Sequence, residues 1–208
     1  MVDRYGLMGP RIKTKDNFKP IESCELEKIR SMLCFYDFHT MNSISGYDAV
    51  VRYKCPNPSR FGDVVIGNCS LETYEKLETV IMSFFIKGVQ LLSEQICYII
   101  KYDKSWVVDK RLCVSLATLL SNKQITDAYS GICVEKESKV IELFAKSCFR
   151  YNSFVQFAFP ETQLIITRTD HLDIFFSSPA KQELRELLTK TISSDERKLL
   201  DIKTAPTY

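Results

Sequence analysis

The longest hydrophobic pattern in the chain covers residues 71–100. Its apolar side chains recur at intervals of three and four residues, the spacing of one helical face, at Leu71, Tyr74, Leu77, Ile81, Phe84, Leu92, Ile96 and Ile99. Neighbouring apolar residues widen this stripe until few positions in its middle are polar. A helix that is apolar almost all round is buried inside a fold. The pattern therefore predicts one long central helix with the rest of the chain packed around it.

Shorter runs predict strands. Residues 47–54 alternate and are rich in valine and tyrosine, and residues 61–67 return after a turn with two prolines, so we expect a hairpin over 47–67. Three later runs are separated by short polar turns, which predicts an antiparallel meander over 153–177.

Amphipathic spacing predicts further helices over 24–36, 109–120 and 135–149, and Ser178-Pro179 starts another. A serine followed three residues later by a glutamate, at 193 and 196, predicts one more helical turn with a capping box. Helices and hairpins are mixed without the strand–helix–strand alternation of a parallel sheet. The predicted fold class is α+β, a single domain in which the long buried helix packs against antiparallel sheet.

The composition is that of an ordinary globular domain. The chain has 208 residues, of which 45% are hydrophobic and 26% charged, enough to bury one full core. We expect a basic flexible N-terminal arm over 1–20, an α+β globular domain over 21–192, and a C-terminal tail over 193–208. Residues 204–208 are expected to fray.

Positive charge is concentrated at the N-terminus. The net charge is +2, but residues 1–20 alone carry +3, so the rest of the chain sums to −1. The residues predicted to contact an anionic partner are five from this arm and two from the first hairpin: Arg4, Arg11, Lys13, Lys15, Lys19, Arg52 and Lys54. Such cations bind lipid headgroups or nucleic-acid phosphates. A solvated terminal tail is the alternative interpretation for the arm, and an ordinary solvent-facing strand edge is the alternative for the hairpin residues.

Eight cysteines occur without any Cys-x-x-Cys spacing, and four of them lie within apolar runs: Cys97, Cys113, Cys133 and Cys148. Free cysteines in such runs behave as small core residues. The first residues lack the apolar stretch of a signal peptide, and charged residues interrupt the 71–100 run. We therefore expect a reduced, cytoplasmic protein that is neither secreted nor membrane-spanning.

Two histidines limit the catalytic candidates. On an extended backbone His171 and Asp173 share a side, and with a third ligand they form an imidazole–carboxylate metal site. The same residues also suit a turn between two strands. Cys34 and His39 have no second pair of ligands to complete a zinc site. No catalytic residue or metal ligand is therefore assigned.

Phosphate-binding loops require glycines so that the backbone can approach the anion. The chain has seven glycines, and none of them falls in a nucleotide-binding spacing. The sequence identifies neither a cofactor nor a small-molecule substrate.

The end of the chain, Thr204-Ala205-Pro206, resembles the short budding peptides of enveloped viruses, although Lys203 stands where those peptides have a leading proline. The layout of basic arm, compact α+β body and little catalytic equipment is similar to that of viral matrix proteins. The strand and turn over 51–62 are similar to those of rhabdovirus matrix proteins. These resemblances imply a protein that self-associates and holds an anionic surface, and no extended match assigns the chain to the family.

Three functional hypotheses follow. The first is a non-enzymatic structural or interaction protein, virus-encoded and matrix-like, which binds an anionic surface and protein partners and self-associates. The second is an RNA-binding protein that uses the basic arm. The third is a metal-dependent enzyme that uses His171 and Asp173.

Overall fold

An antiparallel sheet of eight strands forms the centre of the fold. The computed structural model describes residues 18–34, 36, 47–54, 58–61, 64–66, 69–169 and 171–204. The strands of these residues are β1 (Lys19–Pro20), β2 (Ala49–Tyr53), β3 (Ser59–Phe61), β4 (Val64–Ile66), β5 (Ile96–Lys101), β6 (Gly131–Glu135), β7 (Val155–Phe159), β8 (Leu164–Arg168), β9 (Ile174–Ser177) and β10 (Leu200–Thr204).

Helices cover both faces of the sheet. Those of the described residues are α1 (Ser23–Met32), α2 (Leu71–Gln90), α3 (Val114–Asn122), α4 (Lys139–Phe149), α5 (Lys181–Thr191) and α6 (Glu196–Leu199). On one face α2 to α5 share the larger hydrophobic cluster with the sheet, and the rings of Phe85 and Phe157 lie 5.1 Å apart there. On the other face Leu26 and Ile29 of α1 share a smaller cluster with Ile165. The sheet is therefore the middle of three layers.

The strand order in the large sheet is β1-β6-β5-β7-β8-β9-β2-β10, and each neighbouring pair is antiparallel. β7, β8 and β9 are neighbours both in the chain and in the sheet, which confirms the meander predicted over 153–177. Helices and antiparallel strands mixed in one domain also confirm the predicted α+β class.

The prediction of a single helix over residues 71–100 is wrong. α2 begins after Ser70, whose hydroxyl accepts a hydrogen bond from the Thr73 N–H at 3.1 Å. It ends at Gln90 after 20 residues. The remaining residues of the run form a turn and then β5, which crosses the middle of the sheet.

The apolar run over 71–100 was predicted as one helix for a physical reason. β5 is covered on both faces, and a strand buried on both faces is a short continuous apolar run that resembles a buried helix. The connection is held by Glu94, which accepts a hydrogen bond from the Thr162 N–H at 3.1 Å. Glu94 is buried, so this carboxylate stabilises the connection and does not lie on an exposed helix face.

The hairpin predicted over 47–67 is also wrong in its pairing. β2 lies within the large sheet, between β9 and β10. Val50 and Val51 point to opposite faces and are both buried, as expected for an interior strand. β3 and β4 instead pair with each other in a separate two-stranded ladder, with Arg60 opposite Val65.

Both predicted terminal segments are partly built into the domain. Phe18 is buried and β1 pairs with β6, while residues 1–17 of the predicted arm lie outside the described residues. In the predicted tail over 193–208, α6 is followed by β10, which pairs with β2. The domain therefore extends through Thr204, and residues 205–208 lie outside the described part of the chain.

Seven cysteines fall among the described residues, and all are free thiols. Cys97, Cys113 and Cys148 are buried, which confirms their predicted place in the core, whereas Cys133 is half-buried. Across the described ranges, none of the helices combines the length and the hydrophobicity needed to cross a lipid bilayer.

Candidate anion-binding surface

The structure does not bring together the cations that the sequence singled out. Lys19 lies on β1 at one end of the sheet, whereas Arg52 and Lys54 belong to β2 and the residue after it. Six strand spacings separate β1 from β2, roughly 29 Å at the usual distance between strands. The other predicted contacts lie outside the described residues: Arg4, Arg11, Lys13 and Lys15.

Arg52 and Lys54 instead join cations from the C-terminal part of the chain. We call this group the basic corner; it consists of Arg52, Lys54, Lys87, Lys190, Arg197, Lys198 and Lys203. Val51, Tyr53, Leu200 and Ile202 pack on the α2 side of the sheet, so Arg52, Asp201 and Lys203 project from its opposite face. On the α2 side, Lys87 contacts Glu196 of α6, and Arg197 contacts Thr189, the residue before Lys190. The basic corner therefore extends around the edge strand β10. Three carboxylates lie among its cations: Asp195, Glu196 and Asp201. Seven cations against three carboxylates leave a net charge of +4.

Two cations of the basic corner, Lys54 and Arg197, face solvent and contact main-chain carbonyl oxygens. The Lys54 Nζ donates a hydrogen bond to the Arg197 carbonyl oxygen at 2.6 Å, and the Arg197 Nη2 donates to the Thr189 carbonyl at 3.4 Å. Lys54 and Arg197 are both exposed, and neither forms an ion pair with any other described residue. Carbonyl oxygens fix the positions of the two cations while leaving their full charge available to a partner.

Three other cations of the basic corner form ion pairs, and one of them is Lys87, which contacts Glu196 at 2.9 Å. Lys198 contacts Asp195 at 2.7 Å, and Lys203 lies 3.9 Å from Asp201. Both pairs are exposed, and such pairs contribute little to stability. Among the described residues, the cations of the basic corner that form no ion pair are Arg52, Lys54, Lys190 and Arg197.

Glu196 anchors the basic corner to the fold. It accepts hydrogen bonds from the Ser193 N–H at 2.8 Å, from the Ser193 hydroxyl at 2.8 Å and from the Lys87 Nζ at 2.9 Å. In return the Glu196 N–H donates to the Ser193 hydroxyl, which completes the predicted capping box. Burial acts to raise the pKa of Glu196, but these hydrogen bonds outweigh burial and hold the pKa below its ordinary value. The carboxylate is therefore ionised and positions α6.

An apolar side chain lies beside the cations. Leu199 ends α6 and is 44% exposed, directly between Lys198 and the buried Leu200. An exposed leucine within a basic surface is the combination that amphipathic contacts with a membrane interface use.

The interior contains charged residues of a different kind. Glu78 of α2 and Arg150, which follows α4, are both buried and form two hydrogen bonds, at 2.8 Å from Nε and 2.7 Å from Nη2. Burial acts to lower the pKa of Arg150, but the hydrogen bonds and charge of Glu78 raise it above its ordinary value. The pair joins α2 to the end of α4.

Arg168 of β8 is buried at 3% exposure, and it forms no ion pair with a carboxylate of the described residues. Its guanidinium lies between two rings, with Cζ 4.0 Å from the centroid of Phe85 and 3.7 Å from that of Phe149. Nη2 donates to the sulfur of Met82 at 3.4 Å, whereas Nε and Nη1 have no hydrogen-bond partner in the described part of the chain. Burial lowers the pKa of Arg168 to about 9. Stacking between aromatic rings replaces ion pairing at this site.

The histidine candidate lies in the turn between β8 and β9. The Nδ1 of His171 and the hydroxyl of Ser59 are hydrogen-bonded, and the Thr169 N–H donates to the Asp173 carbonyl at 3.2 Å. Within the described ranges no group of three or more His, Cys, Asp or Glu residues is placed to hold a metal ion. His39 and Asp170 lie outside those ranges. The described contacts are those of a turn that rests on β3.

No model of a known protein family matches this chain. No curated protein and no solved structure matches it either.

Five members of the basic corner are not among the cations predicted from the sequence: Lys87, Lys190, Arg197, Lys198 and Lys203. They are separated along the chain, and the assignment of 193–208 to a tail removed three of them from the domain. One signal was present: Arg197 and Lys198 follow the capping serine within a helical turn, so the sequence already placed them on an ordered element.

Proposed function

We propose that this chain is a non-enzymatic interaction protein that binds an anionic membrane surface through the basic corner and associates with protein partners, copies of itself included. One observation carries the proposal: Lys54 and Arg197 are held by carbonyl oxygens within the basic corner, whose residues sum to a net charge of +4. A cation without a carboxylate neighbour keeps its charge for an external anion.

The expected strength of this interaction follows from the charge. Each lysine or arginine near an anionic membrane contributes on the order of 1 kcal/mol, so a net charge of +4 contributes roughly 4 kcal/mol. That free energy alone corresponds to a dissociation constant of about 1 mM. Stable attachment therefore requires further contacts, from the basic residues of the N-terminal segment or from several copies bound together.

The surface favours a membrane over RNA. Proteins that bind single-stranded RNA combine cations with aromatic rings on which bases stack. The exposed apolar residue at the basic corner is Leu199, an aliphatic side chain suited to the boundary between headgroups and acyl chains. The combination of Leu199 with the surrounding cations supports a peripheral contact with anionic lipid.

The wider role that we propose is that of a matrix-like protein, virus-encoded, acting in the reducing interior of the cell. It is supported by the seven described cysteines, all free thiols, and by the layout of a basic surface on a compact α+β body. Such a protein links a membrane to other proteins by binding rather than by chemistry.

The test is flotation of the full chain with phosphatidylcholine vesicles that contain or lack phosphatidylserine, at low and high salt. The double variant Lys54→Glu/Arg197→Glu brings the net charge of the basic corner from +4 to zero. We expect the affinity of this variant for anionic vesicles to fall at least about tenfold, because the attraction of several charges to the membrane is removed. Salt should weaken the binding of the unmodified chain.

A matched control changes the total charge equally at another place. Lys104 and Lys110 are exposed residues of the segment after β5, and Lys104→Glu/Lys110→Glu should float like the unmodified chain. Equal loss in both double variants would contradict a specific surface, and failure of the unmodified chain to float would contradict membrane binding. Displacement from vesicles by a single-stranded RNA at equal phosphate concentration would replace the membrane with RNA as the anionic partner.

A further inference from the structure

The two ends of the large sheet differ in how their edges are protected. β1 has two residues, and one of them is Pro20, which has no N–H to donate. At the other end β10 has five residues and no proline, and it is the last strand of the sheet among the described residues. An edge of this length is a template for pairing with another strand.

The hydrogen-bond pattern shows which main-chain groups face away from β2. The Lys54 N–H donates to the Leu199 carbonyl at 3.0 Å, and Asp201 lies opposite Arg52. Hydrogen-bonded and non-hydrogen-bonded pairs alternate in an antiparallel ladder, so the main chain of Asp201 and Lys203 faces β2. The N–H and carbonyl groups at 200, 202 and 204 face outward, to the edge.

The side chains on this strand carry opposite charges two residues apart. Asp201 and Lys203 point to the same face of the sheet, and Arg52 lies beside Asp201 on the neighbouring strand. A strand with the order acid, apolar, base is complementary to itself when a second copy runs antiparallel to it.

We propose that β10 pairs antiparallel with β10 of a second copy of this chain, about a two-fold axis at Ile202. The inference rests on the proposed interaction function, since it identifies one of the protein partners as the chain itself. In this register Asp201 lies opposite Lys203 of the second copy, and Arg52, Asp201 and that lysine form one row across the joined sheets. The outward groups of the two strands form about six main-chain hydrogen bonds.

Charge selects this register over its neighbours. A shift by two residues in one direction places Asp201 opposite Asp201 of the second copy. The same shift in the other direction places Lys203 opposite Lys203. Like charges directly opposite each other are destabilising, so only the register centred on Ile202 forms two favourable pairs.

The interface is small, so pairing in solution requires a high protein concentration, and a membrane should promote it. Cations of the basic corner flank the strand in both copies and repel each other, and anionic lipid relieves that repulsion while concentrating the protein. Association through β10 thus combines two weak membrane contacts into one stronger attachment.

The test is sedimentation velocity of the full chain over a range of concentrations, without vesicles. The variants Lys203→Asp and Asp201→Lys each place like charges opposite each other, and each alone should self-associate at least tenfold more weakly than the unmodified chain. A mixture of the two restores both opposite-charge pairs and should associate like the unmodified chain. Recovery in the mixture also shows that both variants are folded.

Thr204→Pro is an independent variant, since it removes one outward N–H while leaving the groups that face β2. It should be monomeric and still float with anionic vesicles. Association of all variants equal to that of the unmodified chain, or a strict monomer at every concentration and on vesicles, would overturn the inference. A chain that floats but stays monomeric contradicts this inference alone, whereas a chain that dimerises but does not float contradicts the membrane function alone.

Discussion

Two regions of the molecule hold cations in opposite ways. In the interior Arg150 is bound by both oxygens of Glu78, and Arg168 lies between two aromatic rings. At the basic corner the Lys54 and Arg197 side chains donate hydrogen bonds to carbonyl oxygens, and neither forms an ion pair with another described residue. A buried charge is costly unless a partner compensates for its lost hydration, whereas an exposed charge keeps its hydration and needs no partner. Cations of the first kind join elements of the fold, and those of the second kind are available to a ligand.

The largest expected effect is on the interior pair. Glu78→Ala leaves the Arg150 guanidinium buried and uncompensated, and such a change typically costs about 3–5 kcal/mol of the free energy of unfolding. Urea denaturation followed by circular dichroism measures it. The double variant Glu78→Leu/Arg150→Met removes both charges and should recover most of the loss.

An exposed carboxylate on a neighbouring helix is the control. Glu142 of α4 contacts Lys139 at 3.1 Å with both side chains substantially exposed, so Glu142→Ala should cost less than about 1 kcal/mol. A similar cost for Glu78→Ala and Glu142→Ala would remove the distinction between interior and surface charges.

The sequence predicts those parts of the fold in which short-range signals are sufficient. The meander over 153–177 was predictable because each strand is short and each turn is polar. The helix over 71–100 was not, because β5 is buried on both faces and loses the alternation that identifies a strand. The position of β2 between β9 and β10 was hidden for a similar reason, since adjacency in the chain suggested a hairpin with the next strand.

The candidate site depended on contacts between distant residues. Arg52 and Lys54 were identified from the sequence, but their neighbours Arg197 and Lys203 come from the other end of the chain. A count of charges along the chain also gives Arg150 and Arg168 the same weight as Arg197. Only burial distinguishes the two interior arginines from Arg197, and burial depends on tertiary packing that cannot be assigned to individual residues from the sequence.

The second prediction concerns the stacked arginine. Arg168→Met removes two stacking contacts, each worth about 0.5–2 kcal/mol, and also removes two nitrogens that have no hydrogen-bond partner. Because these effects have opposite signs, the free energy of unfolding should change by only about 1 kcal/mol. Urea denaturation of Arg168→Met beside Glu78→Ala measures the difference, and an equal cost for the two would show that stacking is as strong as the ion pair.

The third prediction concerns Glu196, a buried carboxylate within the exposed corner. Its folded pKa lies below the ordinary value, so its ionised form stabilises the fold above the ordinary carboxyl pKa. That stabilisation is lost as the pH falls through the folded pKa. The protection factors of the amides in α6 and β10, which correct the exchange rate for its intrinsic pH dependence, should therefore fall in acid, with a smaller change in the core strands. Glu196→Gln should remove this difference between acid and neutral pH, and an unchanged pH dependence in that variant would assign the effect to another group.

The smallest effect on stability is expected at the centre of the basic corner. In Lys54→Glu/Arg197→Glu the lost contacts are one hydrogen bond from each side chain to a carbonyl, both at the surface. The free energy of unfolding should therefore change by less than about 1 kcal/mol, measured by urea denaturation as for Glu78→Ala. The same variant is expected to lose vesicle binding while keeping its stability. In the interior, by contrast, loss of a charge is expected to lower the stability of the fold. A loss of stability here as large as that of Glu78→Ala would mean that these cations hold the fold together, and their lack of carboxylate partners would then no longer indicate a binding surface.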